Sequence, residues 1–96
     1  MRLSAKEINI IKSVILRDKK MSKIILFGSR VYDEKKGGDI DLLLQTSEKI
    51  TLKEKLEILA KLEYNGIERK VDLLIQTPDS EHKNIFTTAI KEGIVL

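Results

Sequence analysis

A chain of 96 residues is sized for one domain, residues 1–96, and its formal net charge is a mild +3, from 18 basic against 15 acidic side chains. Hydrophobic residues at 42% and charged residues at 34% indicate a folded, soluble chain rather than a disordered one. The absence of cysteine excludes disulfides and thiolate metal sites, and a single histidine, His82, argues against a His-rich metal centre or a Ser-His-Asp triad. The longest apolar run, Ile24 to Phe27, falls far short of the roughly 20 residues of a membrane span, and Lys6 and Glu7 interrupt any leader-like stretch. The expected location is the cytoplasm, with no membrane partner.

In chain order, Ser4 and Glu7 make a capping box that opens a helix to about Lys20, with Ile8, Ile11, Val14 and Ile15 on its apolar stripe. Lys23 to Phe27 is a short apolar strand, stopped by Gly28-Ser29. Residues 30–36 fit a two-turn helix closed by Gly37-Gly38, and Asp39 to Gln45 a second strand containing Leu42-Leu43-Leu44. Thr51 and Glu54 repeat the capping box. They start a second long helix with Leu52, Leu56, Leu59 and Leu62 turned inward, ended by Asn65-Gly66. Val71 to Gln76 is a third strand. Pro78 and Ser80 introduce a last helix with Ile85, Phe86, Ala89 and Ile90 inward, and residues 94–96 fit a short edge strand. Tyr32 and Tyr64 read as ordinary half-buried aromatics, and His82 as an exposed first-turn residue. The sum is an α/β (α+β) fold, α-β-α-β-α-β-α, with helices flanking a small mixed sheet.

Three features are unusual for a purely structural domain: Gly28-Ser29 at the end of the first strand, Asp39 and Asp41 at the start of the second, and Asp72 near the start of the third. Alternation puts Asp39 and Asp41 on one face of a strand, about 6.6 Å apart. Carboxylates that close repel one another, and a divalent cation with a taste for hard oxygen ligands, Mg²⁺, resolves the conflict. For all three features to share a site, the first and second strands must be antiparallel and the second and third parallel, joined by the Thr51–Asn65 helix as crossover. Gly28 then admits a phosphate close to the backbone, and the Ser29 hydroxyl adds a hydrogen bond. Metal held by Asp39 and Asp41, with Asp72 as a further ligand or proton acceptor, suits in-line nucleotidyl transfer from a nucleoside triphosphate.

The segments Phe27-Gly28-Ser29-Arg30, Gly38-Asp39-Ile40-Asp41-Leu42 and Val71-Asp72-Leu73 together resemble the polymerase-β-like nucleotidyltransferase superfamily. Within it the chain is similar to the minimal nucleotidyltransferases (MNT) that act as antitoxins of HEPN/MNT pairs. The resemblance covers nearly the whole chain, and it implies the polymerase-β-like fold. It also implies triphosphate contacts from Gly28, Ser29 and Arg30, Mg²⁺ ligation by Asp39 and Asp41, and a carboxylate triad completed by Asp72. Val31-Tyr32 departs from the Ala-Gly that follows the arginine in many relatives, which bears on the loop rather than on the carboxylates.

The resemblance further implies an enzyme that transfers AMP from ATP to a tyrosine of a partner HEPN ribonuclease toxin. The expected partners are therefore that toxin and ATP, with no direct nucleic-acid substrate. Ninety-six residues supply a catalytic plate and little surface for an acceptor, which favours a protein acceptor. Two other readings stand beside it. One is an antitoxin that blocks its toxin by binding alone. The other is nucleotidyl transfer to a small molecule.

Overall fold

The structure is a computed structural model that describes residues 3–18, 22–27, 39–78, 86 and 90–96. Its elements are α1 (Ala5–Asp18), β1 (Lys23–Phe27), β2 (Ile40–Gln45), α2 (Leu52–Tyr64), β3 (Val71–Gln76) and β4 (Ile94–Val95). The expected helix over 30–36 and its Gly37-Gly38 stop lie outside the described residues. So does most of the last helix, of which Phe86 and residues 90–92 are described, and helical.

Both long helices begin at the capping boxes. At α1 the Ser4 Oγ accepts from the Glu7 amide at 3.1 Å, and the Ser4 amide donates to Glu7 Oε1 at 3.0 Å. At α2 the Thr51 hydroxyl accepts from the Glu54 amide at 3.1 Å, and the Glu54 carboxylate accepts from the Thr51 amide. The end of α2 follows from Gly66, whose φ of 117° few other residues adopt readily. That turn lets Gly66 N–H reach the Glu63 carbonyl and Ile67 N–H reach the Leu62 carbonyl, while Leu62 and Ile67 are both buried.

The four strands lie in the order β3-β2-β1-β4. β1 is antiparallel to both β2 and β4, and β2 is parallel to β3, so the sheet is mixed as the site argument required. α2 supplies the crossover between the parallel strands. One sheet face, carrying Ile24, Leu26, Ile40, Leu42, Leu44 and Leu73, packs on Ile11 and Ile15 of α1 and Leu62 of α2. The other face carries a smaller cluster of Ile25, Leu43 and Phe86, with Phe27 and Leu74 against it. β2 is covered on both faces, which explains its unbroken Leu42-Leu43-Leu44 run. Glu7 also joins the layers: its Oε2 lies 3.6 Å from Arg69 Nε on the approach to β3.

Four burial expectations need correction. On α2 the inward face is Ile58, Leu59 and Leu62, whereas Leu52 and Leu56 are exposed. At about 100° per residue Leu56 stands roughly 120° round the helix from Leu62, too far to reach the same core, and Leu52 is the first residue of the helix, two turns before Leu59. Tyr64 is exposed rather than half-buried, because two residues beyond Leu62 is about 200° round, on the opposite side. Ile90 is exposed although Phe86 is buried. The last helical turn delivers the chain to β4 at the sheet margin, and among the described residues no strand lies beyond it. Ile85, Ala89, Tyr32 and His82 lie outside the described residues.

Candidate active site

The register of the sheet builds the site. Phe27 of β1 is paired with Asp41 of β2, and Asp41 with Asp72 of β3. The three therefore form one row across the sheet, with neighbouring backbones about 4.8 Å apart. By strand alternation the row shares the face of Ile25, Leu43 and Leu74, away from the α1/α2 layer. Both aspartates of the row are partly buried. Two like charges at neighbouring positions repel, and their partial burial away from water strengthens that repulsion.

Asp39 stands differently from its expected place. β2 begins at Ile40, so Asp39 lies just before the strand and is exposed. The strand starts where the ladder starts: Ile40 N–H donates to the Lys70 carbonyl at 2.9 Å. Gly28, Ser29 and Arg30 lie outside the described residues. Of the six residues named from sequence, the structure thus brings Asp41 and Asp72 together, sets Asp39 one step outward along the chain, and leaves the other three undescribed.

Lys70 joins this end of the sheet, with its Nζ 3.8 Å from Asp72 Oδ1. The period of two was a usable signal for this in the sequence. Lys70 and Asp72 are two apart on the way into one strand, so they lie on the same side. Phe27 also belongs to the row, as the apolar neighbour that closes one side of Asp41. An open groove at the opposite end of the sheet is lined by Lys23, Gln45, Thr46, Gln76 and Thr77. Among the described residues that line it there is no carboxylate, and its glutamines satisfy each other, Gln45 Nε2 donating to Gln76 Oε1 at 2.9 Å. The paired Asp41 and Asp72 lie at the other end of the sheet.

A family described as "Polymerase beta, Nucleotidyltransferase" matches residues 9–96, a span that takes in all four strands and every residue of the row. The chain belongs to this nucleotidyltransferase family. No curated protein matches it.

For a nucleotidyltransferase, the donor chemistry of the row fits a hard divalent cation. Asp41 and Asp72 offer carboxylate oxygens from adjacent backbones, with Asp39 a step outward. Among the described residues, no group of three or more His, Cys, Asp or Glu is gathered closely enough to hold a metal ion. Also among the described residues, no helix is long and apolar enough to cross a membrane.

Proposed function

We propose that this nucleotidyltransferase is a Mg²⁺-dependent adenylyltransferase that moves AMP from ATP to a tyrosine of a partner HEPN ribonuclease toxin, and so acts as its antitoxin. The observation that carries the chemistry is the in-register pairing of Asp41 with Asp72 in a member of this family. The choice of toxin tyrosine as acceptor is supported by the resemblance of the Gly28-Ser29-Arg30, Asp39-Ile40-Asp41 and Val71-Asp72-Leu73 segments to minimal nucleotidyltransferases.

In the reaction, the acceptor hydroxyl oxygen attacks the α-phosphorus of ATP. The new bond joins that oxygen to phosphorus, the bond to the bridging oxygen breaks, and pyrophosphate leaves. Asp72 takes the proton of the attacking hydroxyl, for which a carboxylate on the neighbouring strand is well placed. Asp39 and Asp41 would hold Mg²⁺, and the ion supplies charge neutralisation on the phosphates. The Gly28 backbone and the Ser29 hydroxyl hold the triphosphate, and Arg30 faces its charge.

Co-expression with a helical HEPN toxin, followed by intact-mass measurement of both chains, tests the reading. The expected result is a toxin heavier by whole AMP units, and no such gain with Asp39→Asn/Asp41→Asn. An unmodified toxin in a tight, inactive complex would establish binding alone as the mechanism. Labelling of small molecules without toxin would establish a small-molecule acceptor.

A further inference from the structure

Arg69 and Lys70 are neighbours in the chain, but their charged ends meet partners on opposite sides of the sheet. Arg69 Nε lies 3.6 Å from Glu7 Oε2 of α1, in the helical layer. Lys70 turns to the face of the carboxylate row, its Nζ 3.8 Å from Asp72 Oδ1. The bond from Ile40 N–H to the Lys70 carbonyl fixes its backbone against the entry to β2. Carried one step back, the register that pairs Ile40 with Val71 brings Lys70 level with Asp39. One ammonium thus stands beside Asp72, level with Asp39 and next to the Asp41–Asp72 pair.

We propose that Lys70 is a built-in counter-ion of these carboxylates, which weakens their hold on a bare divalent cation and strengthens it on the same cation arriving with a nucleoside triphosphate. The inference rests on the reading of Asp39 and Asp41 as metal ligands with Asp72 beside them. A bare divalent ion among these carboxylates meets the ammonium as a like charge at short range. A triphosphate reverses that sign, because its oxygens bring negative charge to the same corner and the ammonium attracts them. In thermodynamic terms, Lys70 adds to the coupling by which metal and nucleotide each raise the other's affinity.

The contact with Asp72 is loose enough for this exchange. At 3.8 Å it is longer than a hydrogen bond, and the Lys70 and Asp72 side chains are 72% and 47% exposed. Little packing is lost when the four-carbon stem of Lys70 swings from carboxylate to phosphate. Arg69 is unsuited to the part, since Glu7 holds its guanidinium on the other side.

The experiment is isothermal titration calorimetry of the full chain at fixed ionic strength, first with Mn²⁺ alone. A second titration uses Mn²⁺ with an ATP analogue whose α–β bridging oxygen is a methylene, so that no transfer occurs. Lys70→Met keeps the stem and the backbone bond and removes the charge; Lys70→Gln is the second neutral variant, and circular dichroism checks folding. For Mn²⁺ alone, the neutral variants are expected to bind about threefold to tenfold more tightly, the scale of one neighbouring charge in water screened by salt. The Mn²⁺–analogue complex is expected to bind them about threefold or more weakly. Lys70→Arg keeps the charge and follows the wild type in both titrations. Lys53→Met changes the net charge equally but lies on α2, and it leaves both titrations unchanged. Wild-type affinity of the neutral variants in either titration overturns the inference, and so does a Lys53→Met effect of equal size. The metal reading stands in those cases if Asp39→Asn/Asp41→Asn abolishes Mn²⁺ binding, whereas binding that persists in that variant overturns both.

Discussion

Asp41 and Asp72 are 31 residues apart in numbering, yet the parallel register sets them side by side. Lys70, with its Nζ 3.8 Å from Asp72, offsets part of their mutual repulsion, although an exposed pair of this kind contributes only about 0–1 kcal/mol. Asp72→Asn removes the proposed proton acceptor and keeps the shape. It is expected to retain most nucleotide affinity while slowing transfer by about 10²-fold or more, measured as AMP incorporated per unit time beside ATP titration. Transfer at the wild-type rate would make Asp72 a structural residue only. Gly66 is the other position where one residue decides much. An added Cβ would meet Ile10 Cδ1 at 3.5 Å, an ordinary contact, so the cost of Gly66→Ala is one of backbone conformation. A loss of about 1–3 kcal/mol is expected in denaturant unfolding.

At the scale of elements, the capping boxes of α1 and α2 and the Gly66 turn are local devices, and each was legible as a short residue pattern. The inward stripe of α2 was not. Leu52, Leu56, Leu59 and Leu62 satisfy helical spacing, but so do Ile58, Leu59 and Leu62 with a different centre, and periodicity alone does not choose between overlapping stripes. The choice was made by where α1 and β3 lie. Leu62→Ala is therefore expected to cost about 2–5 kcal/mol, from lost burial and the cavity left behind. Leu52→Ala is expected to change the stability of a single chain by less than about 0.5 kcal/mol, since Leu52 touches no core. Equal losses in parallel thermal melts would show that the buried face has been misidentified.

Across the whole molecule, β2 is the keel: it is paired on both sides, to β1 and β3, and covered on both faces. Hydrogen exchange is expected to be slowest at Leu42, Leu43 and Leu44, near the global unfolding limit, and faster by orders of magnitude at the two-residue edge strand β4. Comparable exchange in β2 and β4 would contradict a sheet organised about β2. Strand directions belong to this scale too, and they were legible only indirectly. Nothing local in β1 or β3 specifies an orientation; the need for one shared site for Gly28-Ser29, Asp39, Asp41 and Asp72 implied the mixed sheet that the structure has. The sequence by itself therefore determined the capped helices and the strand positions, because each depends on residues within a few positions of one another, and the polymerase-β-like class through three short segments read together. Only the tertiary structure decided that Asp41 and Asp72 share a row while Asp39 stands outside the strand. Only it decided which side of α2 is buried. These are outcomes of strand register and layer packing, which arise from contacts between segments distant in the chain and leave no periodic trace within any one of them.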